Sequence, residues 1–313
     1  MTTLTHRPFR GDDDRHRMRA FLTEVALLAG PLAGYFHIGD LIWRLSPSIA
    51  TDTPRWIELW EDETGQPIGF AWLDAPDLVD VQIHPRLLQP APVLREMVAW
   101  AERALRQRAA DNGTAAPSAV RVDIPVSDGA LSAALGELGF RDTGRDLFVL
   151  LARELLDLDD PVIRAVPGVV VRDLAVVVGD DVDRRVVLEH AVWPSSRANA
   201  ESYHQLRGQP VYRADLDLVA LAPNGEFAAY CICWLDPETR VGQFEPVGSS
   251  PHHRRQGYGA AVMTEGLRRL HTLGAVYATV GTGADNAAAL RLYESLGFYE
   301  AVRYREWTKG IGV

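Results

Sequence analysis

The sequence predicts an α/β (α+β) protein of two similar domains, each a mixed, mostly antiparallel sheet flanked by helices. Three observations support this prediction. The length of 313 residues suits about two domains. The same succession of strands and helices can be read twice along the chain. Hydrophobic residues make up 47% and charged residues 24%, which suffices for two cores and argues against a disordered chain.

The elements of the first half follow from hydrophobic periodicity. Apolar runs predict strands, apolar residues spaced three and four apart predict helices, and turn residues separate them. In order, these elements are a hairpin at 56–60 and 68–73, an amphipathic helix at 94–105, a strand at 119–124, a helix ending at Gly139 and a strand at 146–151.

The second half repeats this order. It has a hairpin at 217–221 and 227–235, a strand at 244–249, an amphipathic helix from near Gly257, a strand at 275–280, a helix at 286–296 and a β segment ending at Trp307. The acidic, proline-containing segment 156–167 therefore predicts a linker between a first domain, residues 1–155, and a second domain, residues 168–313.

Composition limits the partners of the chain. Lys and Arg number 32 against 42 Asp and Glu, and the net charge of −10 argues against nucleic acid and favours cationic small molecules. No apolar run approaches the roughly 18 residues that span a bilayer. The polar amino terminus does not resemble a secretory signal, so we expect a cytoplasmic protein that does not bind membranes. Cys231 and Cys233 are predicted to be buried thiols, and no metal is expected.

The sharpest local signal is the segment 251–261, PHHRRQGYGAA, which lies between a predicted strand and a predicted helix. Free N–H groups at a glycine-containing helix start, beside a guanidinium such as that of Arg254, favour an anion. Val262 stands where a dinucleotide fingerprint needs its third glycine, and a Walker loop would need a lysine that the segment lacks. Taken alone, the segment also fits a plain tight turn.

Two patterns together identify a family resemblance. Arg254-x-x-Gly257-x-Gly259, followed by Asn286-x-x-Ala289-x-x-x-Tyr293, resembles the coenzyme A-binding signatures of the GNAT acyltransferase superfamily. The resemblance covers about residues 168–309. It implies that acetyl-CoA is bound, with its pantetheine arm along the strand, its pyrophosphate on the loop and its sulfur beside the tyrosine. The implied contact residues are Val247, Gly248, Ser249, Arg254, Arg255, Gln256, Gly257, Tyr258, Gly259, Ala260, Asn286 and Tyr293.

The first half resembles the same fold but departs from the signatures. At the positions equivalent to the arginine, the two glycines and the tyrosine it has Leu88, Ala91, Val93 and Leu135. Pro90 and Pro92 also enter its loop, and a proline has no N–H group to donate. The first half is therefore predicted to be a degenerate GNAT-like domain that shapes the acceptor site without binding the cofactor.

The resemblance implies an N-acetyltransferase in which an amine attacks the thioester of acetyl-CoA directly. Glu245 is the candidate base, since it precedes the strand segment assigned to the cofactor; otherwise it is an exposed or ion-paired strand residue. Tyr293 is the candidate acid; otherwise it is a core tyrosine. Pro246 predicts a bulge or interrupted strand pairing.

The nature of the acceptor is the least constrained part of the prediction. A small amine is expected, and the alternatives are a protein amino group or a non-catalytic acyl-CoA binder. Both a monomer and a homodimer are compatible with two like domains in one chain.

Overall fold

The computed structural model describes residues 4–46, 53–156 and 168–311. Of the predicted linker, only Leu156 lies within the described residues. The helices are α1 (Asp12–Ala29), α2 (Ile38–Arg44), α3 (Ala91–Asp111), α4 (Gly129–Glu137), α5 (Asp181–Val192), α6 (Ala200–Arg207), α7 (Tyr258–Thr272) and α8 (Ala287–Ser295).

Every predicted strand segment overlaps a strand of the structure, but the segment predicted at 146–151 is part of a longer strand at 141–154, and three further strands within the described residues had no predicted bounds. In the first half they are β1 (Thr5–Pro8), β2 (Ile57–Glu61), β3 (Pro67–Leu73), β4 (Val79–Ile83), β5 (Ala119–Pro125) and β6 (Arg141–Glu154). In the second half they are β7 (Val170–Asp173), β8 (Asp217–Leu221), β9 (Phe227–Asp236), β10 (Val241–Ser249), β11 (Tyr277–Gly283) and β12 (Tyr299–Gly310).

These strands form two sheets. The first is antiparallel, in the order β1-β2-β3-β4, and the second is mixed, in the order β5-β12-β6-β11-β10-β9-β8-β7. Within the second sheet β10 and β11 are parallel, and the other named neighbours are antiparallel. A parallel bridge from Leu78 to Arg121 joins the start of β4 to β5. The predicted fold class, mixed sheets flanked by helices, is confirmed.

The second sheet contains strands from both halves of the chain. Strand β6 of the first half lies between β11 and β12 of the second, and β12 lies between β5 and β6. Strand β6 is 14 residues long and has a neighbour on each side. Leu151 pairs with Val280 of β11, and Val149 pairs with Arg303 of β12. Strand β6 therefore covers one edge each of β11 and β12, and β5 covers the other edge of β12.

Separate apolar cores lie on the faces of the sheets. One core packs α3 and α4 of the first half against β4 and β5, and another packs α7 and α8 of the second half against β8 to β11. Phe244 of β10 belongs to the second of these cores. Its neighbours Gln243 and Glu245 point to the opposite face of the strand, as the alternation of a strand requires. That face meets α2 and contains the site described next.

Candidate active site

The predicted anion loop is open at the surface. Gly257 has φ +86° and precedes α7, and no side chain caps this helix. The first backbone bond of the helix runs from Ala261 N–H to the Gly257 carbonyl. The preceding N–H groups of Tyr258, Gly259 and Ala260 are therefore left without helical partners, as at any helix start. The loop has the exposure and the donors that an anion needs.

Cationic side chains flank these donors. Arg254 and Arg255 are exposed, and neither forms an ion pair within the described ranges. His253 instead lies 3.0 Å from Glu226 and already has a partner. A Cβ atom at Gly259 would lie 3.0 Å from the Ser249 Oγ atom, so the loop and the end of β10 approach closely only because this residue is glycine.

Strands β10 and β11 separate next to this loop. Their parallel pairing runs from Val241 and Tyr277 to Phe244 and Val280 and then stops. The pairing of β10 with β9 shifts register between Phe244 and Val247, which confirms the irregularity predicted at Pro246. Beyond it, β10 pairs with β9 alone. The main chain of the predicted pantetheine segment is therefore free on its β11 side.

Glu245 lies at this opening. Its side chain is half-buried and has no ion-pair partner within 4.0 Å among the described residues, so it is neither the exposed nor the ion-paired strand residue. Burial raises the pKa of its carboxyl group to about 8, and the charge of Asp40 raises this pKa further, whereas Arg44 lowers it. A carboxyl group with this pKa can exchange a proton near neutral pH.

Tyr293 approaches the same opening from α8. It is 5% exposed, and its ring centroid lies 6.2 Å from that of Phe298 in the core. Burial raises the pKa of its phenol, and the charge of Glu245 raises it further. The structure thus brings the two predicted catalytic residues within electrostatic reach of each other. Tyr293 is also the core residue that the alternative reading described.

Asn286 has a structural role that the sequence analysis did not assign to it. Its Oδ1 atom accepts a hydrogen bond of 3.2 Å from the Ala289 N–H group and caps α8, and its Nδ2 atom donates to Thr282 Oγ1 at 3.1 Å. The side chain remains exposed. A contact with the cofactor stays a prediction.

A cavity of about 580 Å³ lies on the other side of the opening, between the two halves of the chain. Glu245 and Gln243 line it from β10, and Asp80 and Asp123 line it from β4 and β5. The sequence analysis missed the residues of the first half. Polar and apolar residues alternate in 79–84 and 121–124, which is compatible with polar side chains that line a cavity. The same alternation is typical of a strand with one face in water, so it does not identify the cavity.

The equivalent loop of the first half differs as predicted. Helix α3 begins at Ala91, with Pro90 before it and no side-chain cap. Leu88 is 88% exposed, and Val93 is buried in the first core. That this half binds no cofactor remains a prediction.

Over residues 4–46, 53–156 and 168–311, no cluster of three or more His, Cys, Asp or Glu side chains is suited to hold a metal ion. No helix in these ranges is long and apolar enough to cross a membrane.

Comparison with known proteins relates the second half to one family. Residues 187–298 match the sequence model of the Acetyltransferase (GNAT) family. The mycothiol acetyltransferase of Streptomyces coelicolor is 32% identical over 160 residues, which is 47% of this chain and 48% of that protein. The [ribosomal protein bS18]-alanine N-acetyltransferase of Escherichia coli is 36% identical over 89 residues, 28% of this chain and 57% of that protein. The chain thus spans about half the length of these curated relatives.

Two solved structures resemble the whole chain. A tandem GNAT protein from the clavulanic acid biosynthesis pathway has a TM-score of 0.65 at 17% identity and covers 99% of both chains. A GCN5-related N-acetyltransferase from Sphaerobacter thermophilus has a TM-score of 0.64 at 18% identity and covers 99% of this chain and 97% of that one. At these identities the similarity establishes the fold alone.

Proposed function

We propose that the chain transfers the acetyl group of acetyl-CoA to an amine held in the cavity between its halves, and the match of residues 187–298 to the GNAT acetyltransferase family supports this. The observation that carries this proposal is the opening between β10 and β11. It has the uncapped start of α7 on one side and the Glu245 carboxyl group, facing the cavity, on the other. A donor and an acceptor can therefore approach the same point from opposite faces of the sheet.

The residues present fit acetyl-CoA. The N–H groups at the start of α7, with Arg254 and Arg255, would hold its phosphates, and the free main chain of 247–249 would hold its pantetheine arm. A Cβ atom at Gly248 would lie 2.5 Å from the Tyr230 ring, so this segment keeps its path only with glycine. When bound, acetyl-CoA supplies an activated acetyl group as its thioester.

Two side chains at the opening can accept or donate a proton during the reaction. An alkyl ammonium with a pKa near 10.4 is about 0.04% neutral at pH 7, so the acceptor needs a base. Glu245 removes this proton at its carboxylate. Tyr293 holds its proton at the phenol oxygen and could donate it to the departing thiolate, which would leave as the thiol. The half-buried position of Glu245 keeps the carboxylate poorly solvated and therefore basic.

A small amine fits the site better than a protein amino group. The cavity is bounded by elements of both halves, which favours a compact acceptor. The bS18-alanine relative keeps a protein amino terminus as the second candidate. We place cofactor binding in the second domain, from about residue 168, and acceptor shaping in the first.

A panel of amines tests the proposal. The protein is incubated with acetyl-CoA and either small amines or peptides with a free amino terminus, and thiol release is followed. We expect release that depends on a small amine. Release with peptides alone would favour the protein acceptor, and binding of acetyl-CoA without release in any mixture would indicate a non-catalytic binder.

A further inference from the structure

We propose that the acceptor is a small molecule with two cationic groups, the amine that faces Glu245 and a second cation that binds Asp123 of the first half. The inference rests on the proposed function, because it takes the cavity between the halves to be the acceptor site. It adds the chemical class of the acceptor and a residue that selects it.

The lining of the cavity is strongly acidic. Among the described residues it includes seven carboxylates and one guanidinium, that of Arg44. His37 and His84 also line the cavity, and burial lowers the pKa of both imidazoles, so they add no positive charge at neutral pH. The field in the cavity therefore attracts cations and repels anions.

Five of the seven carboxylates have partners in the protein. A carboxylate oxygen of Asp74 lies 2.9 Å from the Arg44 guanidinium, and one of Asp80 lies 2.5 Å from it. Asp128 accepts a 2.8 Å bond from the Leu131 N–H group at the start of α4. The remaining two of the five, Asp40 and Asp236, accept bonds of 2.8 Å from the His37 N–H group and 3.1 Å from the Thr23 hydroxyl.

Glu245 and Asp123 are the two carboxylates left over. The Asp123 Oδ1 atom is buried and has no hydrogen-bond partner in the part of the chain that the structure describes. Arg121 is the nearest opposite charge on its strand, but its guanidinium lies 3.6 Å from both Asp77 and Glu306 and forms no ion pair with Asp123. The Gln243 side chain, only 3% exposed, adds an unpartnered amide oxygen to the same lining.

Burying a carboxylate without a partner costs free energy, so a cation that binds this carboxylate is strongly stabilised. Burial raises the pKa of Asp123 to about 7; Arg121 lowers this pKa and the charge of Asp80 raises it, so the charged form is destabilised overall. A bound ammonium group would do so through a charge-assisted hydrogen bond. Asp123 therefore has the chemistry of a cation-binding residue rather than of a structural ion pair.

Asp123 and Glu245 lie on β5 and β10, which β12, β6 and β11 separate in the second sheet. Asp40 acts electrostatically on Glu245 and on Asp80, and Asp80 in turn acts on Asp123. Neighbouring strands lie about 4.8 Å apart, so one cation cannot bond to both carboxylates, which points to an acceptor with two cationic groups joined by a spacer.

Matched amines test this inference on the full chain. Straight-chain α,ω-diamines of increasing length are compared with amino alcohols of the same length at saturating acetyl-CoA, and KM is obtained from thiol release. We expect the best diamine to have a KM at least about tenfold lower than its amino alcohol, as a charged hydrogen bond would give. Equal KM values for the two series would overturn the inference and leave the proposed function intact. No release with any amine would contradict both.

The Asp123→Asn variant provides a second test of the inference. This variant should bring the diamine and the amino alcohol to nearly equal KM values. Asp77→Asn is the matched control, because Asp77 is also an acidic neighbour of Arg121 but lies outside the cavity lining, and it should keep the preference. A preference that survives Asp123→Asn would overturn the inference. If this variant does not fold, the comparison of amines with the unaltered protein decides.

Discussion

Glu245 and Tyr293 lie 48 positions apart in the sequence, and the fold brings them to one opening. Glu245 comes from a strand whose pairing is interrupted beside it, so its side chain is neither fully solvated nor neutralised by an arginine. Tyr293 comes from the buried face of α8. Both residues were predicted as catalytic candidates from sequence, but their pKa values depend on the surrounding chain and could not be predicted from the motif.

The pKa of Glu245 sets the expected pH dependence of the reaction. With a pKa raised to about 8, the carboxyl group is neutral well below that pH and a carboxylate above it. A base must be unprotonated, so kcat/KM should rise as the pH increases towards about 8. Glu245→Gln should lower the rate by about 10²–10⁴ and remove this rise. An unchanged pH–rate profile in the variant would exclude Glu245 as the base.

Tyr293→Phe separates a role in proton transfer from a role in packing. The variant keeps the ring against Phe298 and removes only the hydroxyl, so we expect acetyl-CoA binding and the melting temperature to change little. Turnover should fall by about 10²-fold if the phenol donates a proton to the departing thiolate. A rate equal to that of the unaltered protein would leave Tyr293 with a packing role alone.

At the scale of elements, most of the fold could be predicted because it is encoded locally. The strand expected at 119–124 is β5, and the helix expected at 286–296 is α8, each within one or two residues. Which strands pair with one another, in contrast, depends on residues that are distant in the sequence. Nothing in the pattern of β12 indicates that it lies between β5 and β6, and for the same reason the placement of Asp123 beside the cavity could not be anticipated.

Helix α7 offers a matched pair of glycines for testing the anion loop. Gly257 before the helix and Gly274 after it have φ +86° and +87°. Replacing either glycine with Val places a β-branched residue at a positive φ. Each variant should therefore lose about 1–3 kcal/mol of the free energy of unfolding. Only Gly257→Val should abolish the rise in melting temperature caused by acetyl-CoA, since it alone alters the loop. Val93, the first-half equivalent of Gly259, is a poor control because it is buried in a core.

An equal loss of the acetyl-CoA effect in both variants would place the effect in the stability of α7 rather than in its N-terminal loop. A preserved effect in Gly257→Val would mean that the phosphates bind elsewhere.

At the scale of the whole molecule, the exchanged strands should make folding a single event. Residues 168–311 alone would lack β5 and β6, which cover both sides of β12 and one side of β11. We therefore expect one cooperative transition in calorimetry for the full chain, with equal calorimetric and van't Hoff enthalpies. Two separated transitions would show that the halves are independent despite their shared sheet.

The shared sheet also explains why a half without the cofactor motif is retained in this architecture. It supplies β6 to the sheet and Asp80 and Asp123 to the cavity. The chain is thus expected to carry one cofactor site and one acceptor site rather than two of each.

The most direct test of this account is the stoichiometry of acetyl-CoA binding, measured by isothermal titration calorimetry on the full chain. The account predicts one molecule per chain, and none for Gly257→Val. Two molecules per chain would contradict the assignment of a degenerate first half, and no binding at millimolar acetyl-CoA would contradict the proposed function itself.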